Sequence, residues 1–204
     1  MATTIRGAID SDSKRGSMNI TQVLVDEHVL ILKGLKLLRI ARDKIERDQH
    51  PPKSFFEKTV LFFRNYADKY HHYKEEFLMF GFLAQKKEGQ LDLEIGALRH
   101  QHETGRQFLT RLEKSISGYA IKNEIAITSL LENLASFISI LSRHICREDN
   151  LFFPMVEKEL SADQKITLLE QFKLEEEALK KRNPLANTLK LLEDMEKLIT
   201  IELE

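Results

Sequence analysis

His71-His72-Tyr73-Lys74-Glu75-Glu76-Phe77-Leu78-Met79-Phe80 and His144-Ile145-Cys146-Arg147-Glu148 each set an imidazole and a carboxylate four residues apart. On an α-helix, residues i and i+4 share a face one turn apart, so His71 projects with Glu75 and His144 with Glu148. His28 lies upstream of the first stretch, in Val25-Asp26-Glu27-His28, and His102 lies between the two, in Arg99-His100-Gln101-His102. Helical bundles build metal sites in their cores by directing His and Glu inward from facing helices. Whether this chain can do so depends on its helices and on which faces they bury.

The breakers mark the helices. Helix A starts near Asn19, where Asn19-Ile20-Thr21-Gln22 resembles a capping box, and ends before Gln49-His50-Pro51-Pro52. Ser54-Phe55-Phe56-Glu57 starts helix B, which stops at Gly89. Helix C covers about 92 to 117 and stops at Gly118. Helix D runs from about Asn123 to Glu159, with Pro154 kinking its last turns. Ser161-Ala162-Asp163-Gln164 caps a fifth helix, and Asn183-Pro184 separates it from a short sixth. The expected fold is all-α, an up-down-up-down four-helix bundle over 19–160 with extra C-terminal helices in 161–204, preceded by a polar, disordered lead-in over 1–18.

Composition agrees. With 42% hydrophobic residues and 31% charged, the 204-residue chain can bury a core and remain a soluble domain. A net charge of −1 gives no field that would draw nucleic acid or an acidic membrane. The lone Cys146 excludes an internal disulfide and fits a reducing compartment. No apolar run reaches the ~18 residues of a membrane span, and the N-terminus lacks the apolar core of a signal peptide. A cytoplasmic location is expected.

Apolar stripes select the inward histidines. Helix A reads Leu24, His28, Ile31, Leu35, Leu38; helix C reads Leu98, His102, Leu109, Leu112, Ile116. Helix D reads Leu134, Phe137, Leu141, His144, Glu148, Leu151, Met155. In helix B the line Phe63, Ala67, His71, Glu75, Leu78, Phe82 is apolar apart from the His and Glu. The competing line Leu61, Asn65, Asp68, His72, Glu76, Met79 is more polar, so His71 and Glu75 are preferred. His72 and Glu76 are then expected to support the site or face solvent. At ~1.5 Å per residue, the heights along the bundle are ~12 Å for His28, ~20–27 Å for His71 and Glu75, ~15 Å for His102 and ~16–23 Å for His144 and Glu148. They overlap in one slab.

A lone inward His is more often a hydrogen-bonded core residue than a ligand, and an i,i+4 His/Glu pair can be a surface hydrogen bond. Four imidazoles and two carboxylates at one height in one core are too costly without a cation or protons. Imidazole and carboxylate donors suit iron or manganese, and thiolates for softer metals are missing. Six such side chains underfill two six-coordinate ions, leaving positions for oxo, hydroxo, water or a small ligand.

His28, His71-x-x-x-Glu75, His102 and His144-x-x-x-Glu148, with Tyr66-Ala67-Asp68-Lys69-Tyr70, His102-Glu103-Thr104-Gly105-Arg106 and Leu151-Phe152-Phe153-Pro154 around them, resemble the hemerythrin-like (HHE cation-binding) family over about residues 19 to 160. The resemblance implies a non-haem di-iron site, oxo- or hydroxo-bridged. Its ligands would be His28, His71, Glu75, His102, His144 and Glu148, with Glu75 and Glu148 as bridging candidates. The family handles O2, NO or reactive oxygen species such as H2O2, in sensing, in oxidative or nitrosative stress, or in iron–sulfur repair. The implied role here is binding O2 or NO or handling peroxide. The competitors are an enzyme with catalase-like turnover or an iron donor, and a structural or interaction protein whose cation, zinc included, only cross-links helices.

The oxygen-carrying members have a second helix C histidine four residues after the first, and here that position is Arg106. Water or another residue must fill that place, or one ion stays open. The usual Leu-Phe-Pro after the first pair is Leu78-Met79-Phe80-Gly81, and residues 1–18 contain no Cys of the kind borne by the N-terminal module of repair-type members. Some relatives ligate iron through the helix A–B connection, which makes His50 a candidate seventh ligand. Straight-helix arithmetic instead leaves it roughly 25 Å from His71, as an exposed turn residue. An apolar wall of Phe63, Leu109, Phe137 and Leu141 is expected beside the site. Cys146 belongs to the polar face, and the C-terminal helices either pack on the bundle or form a homodimer seam.

Overall fold

Long stretches without Gly or Pro, with apolar residues at steps of three and four, fold as the helices expected. The computed structural model describes residues 19–85, 89, 91–182 and 185–200. The lead-in over 1–18 and the Asn183-Pro184 break lie outside the described residues. The helices are α1 (Gln22–Ile45), α2 (Lys53–Phe62), α3 (Phe80–Leu83), α4 (Asp92–Ala120), α5 (Glu124–Arg147), α6 (Phe153–Glu159), α7 (Ala162–Arg182) and α8 (Leu185–Thr200). No strand occurs among the described residues. α1, α2 with α3, α4, and α5 with α6 form the up-down-up-down bundle; α8 packs on α2 and α1, and α7 on the residues just before α3.

The helix ends differ in detail from the sequence expectation. Thr21 rather than Asn19 precedes α1, and its N–H donates to Glu157 of α6. Ser161 and Gln164 form the reciprocal cap expected before α7. Asn123 accepts from the Ala126 N–H and starts α5. α4 runs two residues past Gly118, and the left-handed residue that ends it is Lys122, with φ 57°. Gly118 serves close approach instead: a Cβ there would lie 2.5 Å from that of Ala126.

The largest departure from a straight α-helix is in helix B. Phe63–His72 and Lys74–Met79 are π-helical, and the Tyr73 N–H donates to the Asp68 carbonyl five residues back. A third π-helical segment, Glu148–Phe152, joins α5 to α6 just before Pro154, where a simple kink was expected. Closing hydrogen bonds over five residues instead of four inserts an extra residue per turn and shifts the phase of every residue beyond it. Met79 and Leu83 are therefore buried where Leu78 and Phe82 were expected, and Phe152 is buried where Leu151, 44% exposed, was expected.

Two apolar blocks enclose the His/Glu level. One holds Leu35, Leu38, Phe56, Phe63, Leu112, Leu134 and Phe137, completed by Leu192, Met195 and Ile199 of α8. The other holds Leu24, Met79, Phe80, Leu98, Phe152 and Phe153, completed by Leu168 and Phe172 of α7. The stretch Glu124–Glu159 contains a window of mean hydropathy 1.6, long and apolar enough by composition to cross a membrane. That corrects the expectation that no such stretch exists. Here its apolar face (Leu130, Leu134, Leu141) is core, and it also buries Asn133, His144 and Glu148.

Gly34 sits where α1 crosses helix B, and a Cβ there would lie 2.7 Å from the fully buried Phe62 ring. Gly34→Val should therefore destabilise the fold by about 1–3 kcal/mol. Gly96→Ala, on the exposed face of α4 with nothing within 4 Å, should stabilise it by about 0.5–1 kcal/mol. Urea unfolding of the two variants beside the parent checks both signs.

Candidate metal centre

The sequence-predicted residues converge. His28, His71, Glu75 and Glu148 form one buried group, and His72, Glu75, His102 and His144 form a second; within each, the potential ligand atoms lie within 4.8 Å of one another. Glu75 belongs to both groups, with Oε1 3.4 Å from His71 Nε2 and Oε2 3.3 Å from His102 Nε2. Glu148 Oε2 lies 3.4 Å from His28 Nε2 and 3.1 Å from His144 Nε2, so it also faces both groups. All six predicted His and Glu side chains therefore meet at one level. His50 does not join them. It sits in the turn after α1, with Nε2 3.2 Å from Asp48 and its ring against Tyr119, beyond the first apolar block.

His72 is the residue that straight-helix reasoning set aside. The π-helical turns widen helix B so that consecutive residues His71 and His72 both face inward, and both are buried. The His72 ring stacks on His102 at 3.8 Å between centroids, and neither of its nitrogens has a hydrogen-bond partner. It thus adds a fifth buried imidazole, from helix B, to the group of Glu75, His102 and His144. Arg106 itself turns aside, donating to Asp68 at 2.7 Å and Glu76 at 2.6 Å.

The other four imidazoles are oriented by a closed ring of acceptors. His71 on helix B donates through Nδ1 to Glu27 of α1 (2.9 Å), and His102 on α4 donates to Glu76 of helix B (2.7 Å). His144 on α5 donates to Gln101 of α4 (3.0 Å), and His28 on α1 donates to Asp149 in the turn after α5 (2.8 Å). Each acceptor is the chain neighbour of a ligand candidate on the adjacent helix. Fixing the proton on Nδ1 leaves each Nε2 aimed at the centre, the arrangement that orients metal-binding histidines. His28 Nε2 is 2.9 Å from His71 Nε2, and His102 Nε2 is 3.0 Å from His144 Nε2. Two ring nitrogens that close require a proton between them or a cation in their place. Sequence reasoning missed Glu27, Gln101 and Asp149, although their position beside His28, His102 and Glu148 was a signal.

Two of these acceptors are themselves held by cations. Glu76 receives Arg106, and Glu27 receives the fully buried Lys74, whose ammonium also lies 3.4 Å from Glu176 of α7 and 4.0 Å above the Tyr70 ring. These contacts set the electrostatics. Burial opposes charge on His71, but Glu75 and Glu27 outweigh it and raise its pKa to about 10. Burial likewise opposes charge on His102, and Glu75 and Glu76 raise it to about 9. His72, buried and beside His102 without an orienting acceptor, is pushed well below the ordinary imidazole value. Burial disfavours the Glu75 carboxylate, yet His71 and His102 hold its pKa well below the usual carboxylate range.

No oxygen of Glu75 or Glu148 has a hydrogen-bond donor, although both residues are fully buried. Leaving buried carboxylates unsatisfied costs several kcal/mol per ion, and a divalent cation removes that cost. Imidazole nitrogens and carboxylate oxygens arranged this way fit such a cation. Beside the three-histidine group opens a cavity of about 390 Å3 whose wall includes Phe63, Leu109, Phe137 and Leu141, the four residues expected beside the site. Cys146 lies exposed on the outer face, as expected.

The uncharacterized proteins Rv1995 and MT2051 of Mycobacterium tuberculosis and Mb2018 of Mycobacterium bovis are each 27% identical to this chain over 153 residues. The match covers 75% of this chain and 59% of each relative, so the chain spans about three-fifths of the length of these curated proteins. No solved structure matches. The family profile of the hemerythrin HHE cation binding domain matches residues 19–156, which takes in every residue of the two His/Glu groups. By that match and by its buried His/Glu level, the chain belongs to the hemerythrin HHE cation-binding domain family.

Proposed function

We propose that this chain is a cytoplasmic non-haem di-iron protein that binds O2 or NO, or handles hydrogen peroxide, in the response to redox or nitrosative stress. His28 and His71 would hold one iron, and His72, His102 and His144 the other, with Glu75 and Glu148 spanning both. The observation that carries this reading is the set of orphaned carboxylate oxygens on Glu75 and Glu148, shared between two imidazole groups. Iron bound there supplies a change of oxidation state and coordination positions the protein leaves open. The chain's own residues do the rest. Glu27, Glu76, Gln101 and Asp149 hold the imidazoles with Nε2 inward, Lys74 and Arg106 hold two of those acceptors, and the apolar wall limits water at the histidines.

Peroxide turnover is a second reading, favoured by the cavity, which gives the three-histidine group a route to solvent. Anaerobic loading with Fe(II), followed by metal analysis and optical spectra, separates the readings. About two irons per chain, with absorption bands that change reversibly on adding O2 or NO, support the binding role. Steady peroxide consumption lost in His71→Ala supports turnover. Equal affinity for zinc with no spectral response to any of these molecules would leave only the cross-linking role. Glu75→Ala should lower metal content, and His72→Ala should weaken one equivalent more than the other.

The orienting ring makes a separate prediction. Glu27→Ala and Glu76→Ala should each weaken metal binding by about 10–100-fold while the helical circular dichroism is kept. Competition with a chromophoric chelator measures it.

Proton release tests the electrostatics. With pKa values of about 10 and about 9, His71 and His102 are protonated at pH 8 in the metal-free protein, and a bound cation must displace those protons. Uptake at pH 8 should therefore release roughly two protons per chain, and affinity should rise with pH toward those values. Calorimetry in buffers of different ionisation enthalpy counts them; no release would contradict the assignment.

A further inference from the structure

The two cations that hold acceptors of the ring are closed off in different ways. Arg106, which donates to Glu76, belongs to α4 within the bundle and is partly exposed. Lys74, which donates to Glu27, is fully buried, and the C-terminal helix α7 packs on the stretch Lys74–Met79 that bears it. A lysine is almost never fully buried unless it is paired. The Lys74 ammonium has two carboxylates, Glu27 from α1 and Glu176 from α7, and lies 4.0 Å above the Tyr70 ring. Glu176 also accepts from the Tyr70 hydroxyl. It lies outside the residues 19–156 that match the family profile, so the extension reaches the centre by a contact of its own.

Two carboxylates share one ammonium here, so Glu27 keeps negative charge to offer His71, whose Nδ1 it meets at 2.9 Å. Removing the charge of Glu176 leaves the ammonium to Glu27 alone. Glu27 then becomes a weaker acceptor, and His71 a weaker donor to a cation at its Nε2. The seat of α7 is also narrow. Among its described side chains only Leu168 and Phe172 are buried, and Lys165 pairs with Glu157 of α6. A helix held by few buried apolar side chains opens at low free energy, so a contact that depends on the centre can bias its docking.

We infer that Glu176 is a positioning residue of the centre, and that α7 is a clamp whose docking is linked to cation occupancy beside His71. The contacts run from Glu176 to Lys74, from Lys74 to Glu27, and from Glu27 to His71. A cation at His28 and His71 fixes His71 and Glu27, and so favours the docked α7 in which Lys74 meets both carboxylates. By reciprocity, a docked α7 raises the affinity for that cation by the same factor. His102 and His144 are oriented by Glu76 and Gln101 with no residue of α7, so the second cation is indifferent to Glu176. The inference rests on the cation-binding part of the reading above, and not on iron or on the small molecule handled.

The test is zinc titration of the full chain by chelator competition, with backbone hydrogen exchange read on the same samples. Zinc should slow exchange over residues 168–176 at least about fivefold more than over α8, which brings no residue to the acceptors. Equal slowing of both helices would mark global stabilisation only and overturn the inference. Glu176→Gln keeps the shape and removes the charge. It should weaken one zinc equivalent at least about fivefold, leave the other within about twofold, and abolish the extra slowing of α7, at unchanged helical circular dichroism. In a Glu27→Gln background the same step should lose its effect on affinity, because its route to His71 is already cut. An effect of equal size in both backgrounds would make Glu176 merely structural and sink the proposal, as would parent-like affinity for both equivalents in Glu176→Gln. The exchange comparison on the parent needs no variant, and decides the matter if Glu176→Gln fails to fold. Metal uptake by the parent separates the claims. Zinc coupled to α7 with no iron taken up sinks the di-iron reading alone; iron and zinc bound with α7 indifferent sinks the clamp alone; no cation bound sinks both.

Discussion

Two buried carboxylates that accept no hydrogen bond lie at the middle of this bundle. Glu75 and Glu148 are fully buried, none of their oxygens accepts a hydrogen bond, and five imidazoles face them. A protein interior does not keep such groups without a counter-charge. Protons on His71 and His102 can supply one, and so can a metal cation, which the buried His/Glu groups around them fit. Each carboxylate faces imidazoles of both groups, so the same two side chains join the two His/Glu groups at one level.

The ring of acceptors turns that local requirement into architecture. Every bundle helix receives an imidazole from the helix after it and gives one to the helix before it: Glu27 to His71, Glu76 to His102, Gln101 to His144, Asp149 to His28. The four helices are thereby cross-linked at one level by polar contacts, with apolar blocks above and below excluding water. The C-terminal helices take part. α8 closes the first apolar block, and α7 closes the second and brings Glu176 to Lys74, which holds the acceptor of His71. The extension is thus packed into the support of the centre.

Much of this was legible in the sequence because α-helical periodicity is strong in this chain. The stripes of α1, α4 and α5 placed His28, His102 and His144 correctly, and height arithmetic put them level with Glu75 and Glu148. The arithmetic failed where the helix is not an α-helix. Nothing in Phe63 to Met79 announces π-helical closure, so the stripe rule slipped by one residue beyond it. It took Leu78 for Met79, Phe82 for Leu83, and Leu151 for Phe152 within the third π segment. The same slip set His72 aside. Arg106 was visible as a departure from the family pattern, but the inward turn of His72 was not, because finding it required the backbone. The orienting acceptors were hidden for another reason: each serves a ligand on a different helix, a relation no spacing within one helix encodes.

The central claim is that the centre holds two cations spanned by Glu75 and Glu148. A crystal structure of the iron-loaded chain, with an anomalous difference map at the iron edge, tests it most directly. The account predicts two peaks at the level of Glu75 and Glu148, one beside His28 and His71 and the other beside His72, His102 and His144, each in contact with both carboxylates. A single peak, peaks elsewhere, or an iron-free centre with both carboxylates hydrogen-bonded to water would contradict it.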